Sequence, residues 1–440
     1  MQFAPLDVPY PGLDQVRDTC DATSLGVLAT ELLEPWVLGD APGRHEWMLH
    51  AVVHLPSEAG DRRVVAHARE WARKSQEKAK RGCAALAAIG TDHALMHLAH
   101  IADFTRFDEL QKHACKLVVE AAEARGLSTD ELGDRTVPDV GLDADGTLAL
   151  SYGARRFVAV LDETLRPLVH EITAAGRSGA ARSLPNKADD AESVKVAHAR
   201  FERLKEDLEG LADRERRRLE RAMVNGRTWS LADVRQHVLG HPMLVHVARR
   251  LVWVAVSAGG RQIFRIAEDR TLADVDDAAF LLPEDARLAI AHPARDLALL
   301  EGWPRIFGDY EVLQPFEQLG RTVSVSRPGE CEALALDRVS GIVVPARKTL
   351  GILEARGYRR DQAGFVSAFV RDLRGADSRA LVVSVPLTPG FEIEILAHAS
   401  DQTTAAATLA DAEGNAASFG AIDAAAFSEL IRDLEAPRPT

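Results

Sequence analysis

LADVRQHVLGHPMLVHVARRLVWVAVSAGGRQIFRIAED, residues 231–269, is the stretch on which the fold turns. Its first 26 residues read as two helices carried through to Val256, with Pro242 suited to the first turn of the second. RQIFRIAED (261–269) then reads as a strand. Downstream, 271–310 predicts a short strand at 286–291 and a further helix. After Gln314 the pattern turns β-rich, with strands near 322–326, 341–344, 364–373, 381–385 and 392–397. One helix is expected among them at 346–356 and a last one at 423–434.

Upstream, 191–224 predicts one long charged helix, with Phe201, Leu204, Leu208, Leu211, Leu219 and Met223 at helical spacing and Gly226 closing it. Residues 173–190, rich in Gly, Ala, Ser and Pro, read as an exposed loop. DADG (143–146) between alternating segments is a hairpin signal, and Phe157, Ala159 and Leu161 share one face of the second strand. From 13 to 126 short helices follow one another. The run 62–80 buries Val64, Val65, Ala68, Trp71 and Ala72, and a helix over 107–125 ends at Gly126. Helix pairs of this kind stack as solenoids, although no fixed period is visible. The fold class is therefore α+β: a solenoid-like array of short helices, then a mixed α+β domain with a β-rich C-terminal part. The expected domains are 1–127, 128–190 (hairpin segment and loop) and 191–440.

Length and charge narrow the function classes. A chain of 440 residues exceeds one ordinary core. Its net charge of −13 argues against a surface that tracks nucleic acid throughout. Cys20, Cys83, Cys115 and Cys331 show no zinc-like spacing and read as reduced, buried thiols. The start, MQFAPLDVPYPGLD, lacks a signal-peptide pattern, and the longest strongly apolar stretch (251–258) is too short for a bilayer. A cytoplasmic protein is expected, and the Ala- and Arg-rich, Lys-poor composition suggests a GC-rich bacterial source.

An ordered set of segments carries a resemblance. GRTWS (226–230), GHPMLVHVARRLVW (240–253), FRIAEDRTLADVDD (264–277), IAHP (290–293) and DYEVLQPFEQLGR (309–321) follow one another. Upstream lies GLSTDELGDRTVPDVGLDADGTLALSYGARRF. Together they resemble the bacterial domain of unknown function 4132 family, over roughly 86–397. That family includes molybdate-metabolism-regulator-like proteins. The resemblance implies an architecture and no agreed chemistry, and it leaves any cofactor unknown. It also implies a possible protein partner of the AAA+ ATPase or von Willebrand A type. Some relatives bear an N-terminal WGR module associated with nucleic acid, and no Trp-Gly-Arg occurs here.

Candidate chemistry is dispersed. His241 and His292 each precede a proline. They are acid–base candidates near neutral pH, or helix-entry residues. Arg227 and Trp229, with Arg249, Arg250 and Trp253, suit an anion or nucleotide pocket, or a packed junction. Gln314, Gln318 and Arg321 flank the turn at Pro315 and would orient a ligand or satisfy backbone groups. Asp269, Asp274, Asp276 and Asp277 lack the glycine and terminal Glu of an EF-hand. His93, His97 and His100 share a helical face without a nameable third ligand, so no metal is assigned. Arg62, Arg63, Arg69, Arg73, Lys74, Lys78, Lys80 and Arg81 form a basic run that suits phosphate, an acidic partner or a solvated face. P-loop, dinucleotide-binding, nucleophile-elbow and kinase signatures are absent.

Two functions remain. The first is a regulatory or interaction protein presenting a partner- or ligand-binding surface. The second is an enzyme acting on a nucleotide or peptide, with Arg227, His241, His292, Gln314 and Arg321 lining a cleft at the domain junction. Neither nucleic acid nor membrane is the expected partner.

Overall fold

A computed structural model describes residues 11–436 apart from 106, 174–175, 181–184, 363, 376 and 378. Most of the opening segment read above for a leader lies outside the described residues. The chain is α+β and divides into two compact units, Met1–Val140 and Gly141–Thr440.

The first unit is helical: α1 (Leu13–Thr19), α2 (Ala22–Leu38), α3 (Trp47–His54), α4 (Glu58–Lys74), α5 (Gln76–Ile89), α6 (Asp92–Phe104), α7 (Asp108–Glu123) and α8 (Thr129–Arg135). The basic run is two helices, because extended Ser75 breaks it between α4 and α5. The stripe Val64, Val65, Ala68, Trp71 and Ala72 is buried, and Trp71 meets Trp36 edge-on at 6.0 Å. Five of the eight cations, Arg63, Lys74, Lys78, Lys80 and Arg81, pair with carboxylates within the array. Sequence composition places a boundary after residue 127, whereas the unit runs on to Val140. The reason is α8: Ser128 and Glu131 form a reciprocal capping box, and Leu132 joins the helical core.

α4 and α5 approach closely at Gly82, where a Cβ would stand 2.8 Å from Ala68 Cβ. Gly82→Val should therefore force the helices apart and cost about 1–3 kcal/mol. A denaturant midpoint unchanged from wild type would show that the helices part freely.

The second unit opens with an antiparallel meander of β1 (Thr147–Ser151), β2 (Arg156–Leu161), β3 (Pro167–Thr173) and β4 (Gly176–Ala180). Two expectations are corrected here. The Asp-Ala-Asp-Gly turn precedes β1, where Asp143 accepts from the N–H groups of Asp145 and Thr147, while the β1–β2 hairpin turns at 152–155. The supposed loop after 173 contains β4. α9 (Ala191–Val224) follows, and it is not one straight helix. Glu209 (ψ 119°) and Gly210 (φ 84°) leave helical geometry, a departure that glycine tolerates.

A five-stranded antiparallel sheet comes next, in the order β5-β9-β6-β7-β8. Its parts are β5 (Trp229–Ser230), α10 (Leu231–Asp233), α11 (Leu244–Ala248), β6 (Val252–Ser257), β7 (Gly260–Ile266), β8 (Leu272–Ala273) and β9 (Arg287–Ile290). Val252–Ser257 is thus a strand and not the continuation of a helix. Val252, Trp253 and Val254 are wholly buried and pair with β7 on one side and β9 on the other. A strand covered on both faces shows a continuous apolar run, which hides its period of two. α12 (Pro293–Asp296) and α13 (Trp303–Asp309) complete this layer.

An eight-stranded antiparallel sheet ends the chain. It holds β10 (Ala335–Leu336), β11 (Val343–Val344), β12 (Arg359–Arg360), β13 (Phe365–Arg374), β14 (Ala380–Glu392), β15 (Gln402–Thr404), β16 (Ala407–Asp411) and β17 (Ala416–Ala417). α14 (Ala346–Ala355) and α15 (Ala424–Glu435) lie among these strands in sequence. Residues 322–326 and 393–397 are not strands. The missed strands β15, β16 and β17 are short and rich in Ala and Thr, a weak signal. No helix among the described residues is long and apolar enough to cross a membrane.

Candidate functional site: an arginine-lined hollow around helix α15

α15 is amphipathic in an unusual way. Its inner face carries Phe427, Leu430, Ile431 and Leu434, together with buried Ser428, Glu429 and Asp433. The helix packs on α9, α12 and α14. Carboxylates four residues apart share a face, so two negative charges enter the interior and require cationic partners.

The arginines arrive from distant parts of the unit. Arg321 grips Glu429 in a fork, with Nε donating to Oε1 at 2.7 Å and Nη2 to Oε2 at 2.6 Å. Its Nη1 donates to Glu220 of α9 and to the Glu317 carbonyl, each at 2.8 Å. Asp433 receives Arg356 on Oδ1 and Arg371 on Oδ2, both at 2.8 Å. Arg432 reaches Glu317 at 2.7 Å. Burial works against charge on Glu429, but the Arg321 and His292 hydrogen bonds overcome it and hold the carboxyl far below its ordinary value. Burial likewise opposes charge on Arg321, and its two carboxylate partners hold its proton more firmly than usual.

These groups surround a hollow of ≈ 220 Å³. The C-terminal half of α9 contributes Arg216, Arg217, Glu220, Arg221 and Val224. Opposite stand Arg321, Arg356, Arg371 and Arg432 with Glu429 and Asp433, and Ala355 closes the lining. Seven guanidiniums thus face three carboxylates in a chain whose overall charge is negative. Asp213 pairs with Arg216 and Arg217 from outside the lining, as Glu317 does with Arg432. Positive charge still exceeds negative. The arrangement can bind and orient an anion through planar forks.

Of the seven side chains nominated from the sequence, Arg321 lines the hollow among the described residues. His292 is drawn to it indirectly. Wholly buried, it caps α12 by accepting the Ala294 N–H on Nδ1, and Nε2 contacts Glu429 at 3.2 Å. An Nδ1 that accepts leaves the proton on Nε2, which donates to the carboxylate. Burial depresses its pKa, so the ring is neutral at pH 7. Gln318 is fully buried and stitches backbone: Oε1 accepts the Val252 N–H at 2.9 Å, and Nε2 donates to the carbonyls of Val252 and Ala291 at 2.8 Å. Gln314 supports it, donating to Gln318 Oε1 at 3.0 Å.

The remaining nominees serve their own turns. His241 Nδ1 accepts the N–H groups of Met243 and Leu244, capping the entry to α11. Arg227 lies 4.8 Å over the Trp229 ring, which packs against Trp253 at 5.7 Å. Arg250 donates to the His246 carbonyl, and Trp253 Nε1 to that of Ala248. Asp269 and Asp274 close turns on Thr271, Asp276 and Ala278, while Asp277 meets Arg265 and Tyr310. In the helical unit, His93 and His97 approach at 3.3 Å, with Asp61 3.6 Å from His93. No group of three such ligands close enough for a metal occurs among the described residues. Cys83 is buried and its thiol pushed up to about 12 by burial, whereas Cys20, Cys115 and Cys331 are exposed, contrary to the expectation of four buried thiols.

Sequence reading passed over Glu429, Asp433, Glu220, Arg356, Arg371 and Arg432. The available signal was acid residues on the apolar face of the last helix.

The Glu429 shift fixes a sign for pH. Its folded pKa lies below the unfolded value near 4.5, so its contribution is complete above that pH and is lost as pH falls further. Asp433 has the opposite sign: burial pushes its carboxyl up to about 6, so its share of stability grows as pH falls from 7 towards 4. The denaturant midpoint should therefore not fall between pH 7 and about 4.5, and should decline below about 4. A midpoint level down to pH 3 in an Asp433→Asn variant would contradict the charge on Glu429.

Residues 179–358 match the family model described as "Domain of unknown function (DUF4132)". Among curated proteins, the "Uncharacterized protein YehI" of Escherichia coli (strain K12) is 30% identical over 372 residues, 83% of this chain. The chain spans about 30% of that relative's length. No solved structure matches significantly.

Proposed function

We propose, from the match of residues 179–358 to the DUF4132 family model, that the 141–440 unit is a ligand-binding regulatory module that takes an anion into the hollow beside α15. The observation that carries this reading is the ratio of seven arginines to three carboxylates around ≈ 220 Å³. Buried charge on this scale costs several kcal/mol per ion unless partners answer it. Here partners do answer it, Asp213 and Glu317 included, and what supports the reading is that seven guanidinium forks meet at one hollow with five carboxylates among them.

What the hollow offers is charge and directed N–H groups. His292 has both ring nitrogens engaged, which favours binding over acid–base chemistry in this reading. Molybdate-linked regulation, implied by the resemblance, would fit here as one case, since molybdate is a tetrahedral oxyanion. In this proposal the bound state is passed to a protein partner, and the family resemblance supports one of the AAA+ ATPase or von Willebrand A kind.

The test is a thermal-shift panel of phosphate, molybdate, citrate and an acidic peptide at low salt. A ligand at a hundred times its Kd should add about 2.7 kcal/mol of stability. Arg217→Ala, whose side chain is 37% exposed, should abolish most of that gain without unfolding the chain. If the gain is identical in wild type and variant, the anion sits elsewhere and the reading fails.

A further inference from the structure

Resting on the reading just given, we infer that Asp433 is a proton-operated latch on the hollow, which yields Arg356 and Arg371 to an anion when it takes up a proton. The guanidiniums around the hollow already hold partners: Arg321 is on Glu429, Arg356 and Arg371 on Asp433, Arg432 on Glu317, and Arg216 with Arg217 on Asp213. An entering anion must therefore compete with a carboxylate of the protein itself. Which carboxylate gives way is set by how each is held. Glu429 and Asp433 stand one turn apart on the same face of α15, each 2% exposed. Two carboxylates so placed in the interior resist ionising together, and the better-held one keeps its charge. Glu429 has the two-bond fork of Arg321 and the Nε2 of His292 on Oε1. Asp433 has a single bond from each of two guanidiniums on different elements, Arg356 at the end of α14 and Arg371 in β13. Glu429 is the better held. The other groups facing this end of α15 do not reverse the order. Arg432 turns to Glu317, and burial keeps the Tyr358 phenol protonated. α12 brings the neutral ring of His292, with Asp296 and Arg295 turned to Arg261 and Asp423. Across the hollow, α9 presents Arg216, Arg217 and Arg221 with Glu220, which Arg321 holds. Burial, with the neighbouring Glu429, pushes Asp433 up to about 6, while Glu429 stays charged. A modest fall in pH from 7 thus neutralises Asp433 first. Arg356 and Arg371 then keep their charge without a carboxylate opposite, and an oxyanion takes its place.

Calorimetry with sulfate, an anion that does not titrate in this range, tests the latch on the full chain. Affinity should rise about tenfold from about pH 7.5 to about pH 5.5, the direction in which Asp433 gains its proton. Linkage is reciprocal, so sulfate should draw a proton onto the protein. At about pH 6.5, titrations in two buffers of different ionisation enthalpy should show uptake of roughly half a proton per anion. That measurement uses the wild-type chain and needs no variant. Asp433→Asn should bind sulfate at both pH values about as tightly as wild type does at the lower one, with melting confirming a folded chain. Sulfate binding that is level across pH, with no proton uptake, would overturn the latch and leave the anion site in place. So would a pH dependence that persists unchanged in Asp433→Asn, since another group would then carry it. If sulfate and every anion of the thermal-shift panel fail to bind at either pH, the site and its latch fall together.

Discussion

Arg321→Ala is expected to lower the unfolding free energy by about 3–5 kcal/mol, the usual result of stripping one partner from a buried ion pair. Arg321 is 5% exposed and Glu429 2%, so water cannot replace the lost fork. The variant leaves Glu429 with the neutral ring of His292 and with Arg432 at 3.7 Å. It also frees the Glu317 carbonyl and Glu220. Arg321→Lys should fall between, because an ammonium keeps the charge but not the bidentate geometry. Denaturant unfolding measures both. A loss under about 1 kcal/mol in the alanine variant would mean that the pair is solvated and the interior lattice weak.

Gln318→Leu is the second large effect, expected at about 2–4 kcal/mol. Leucine fills the space but leaves the Val252 N–H without its acceptor and the Ala291 carbonyl without a donor, inside the five-stranded sheet's core. This variant also separates two roles. As a stitching residue, Gln318 should alter stability while the affinity of folded molecules for anions stays unchanged. A melted affinity with intact stability would return it to the ligand-binding role nominated from the sequence.

Much of the architecture was legible because the helical unit obeys simple patterning. The Val64–Ala72 stripe, the cap at Gly126, where φ is +65°, and the span of α15 all follow from apolar spacing and breakers. Where the reading failed, tertiary burial had erased the local signal. Val252–Ser257 lost its alternation because both faces are covered, although valines at 252, 254 and 256 are the residues a strand prefers. The hollow was harder still. Its cations come from α9, residue 321, the end of α14, β13 and α15, and no local window contains more than a fraction of them. Arg321 was nominated for flanking a turn, and it matters because Glu429 lies 108 residues further on.

Arg295 has a quieter role. Its guanidinium donates to the carbonyls of Met223 and Val224 at the end of α9, and to Asp423, which in turn accepts the Ala426 N–H at the start of α15. One cation therefore tethers the tail of one helix to the head of another. Loosening the tail of α9 or the head of α15 thus breaks bonds held by the same guanidinium, which ties the local stability of the two helix ends together.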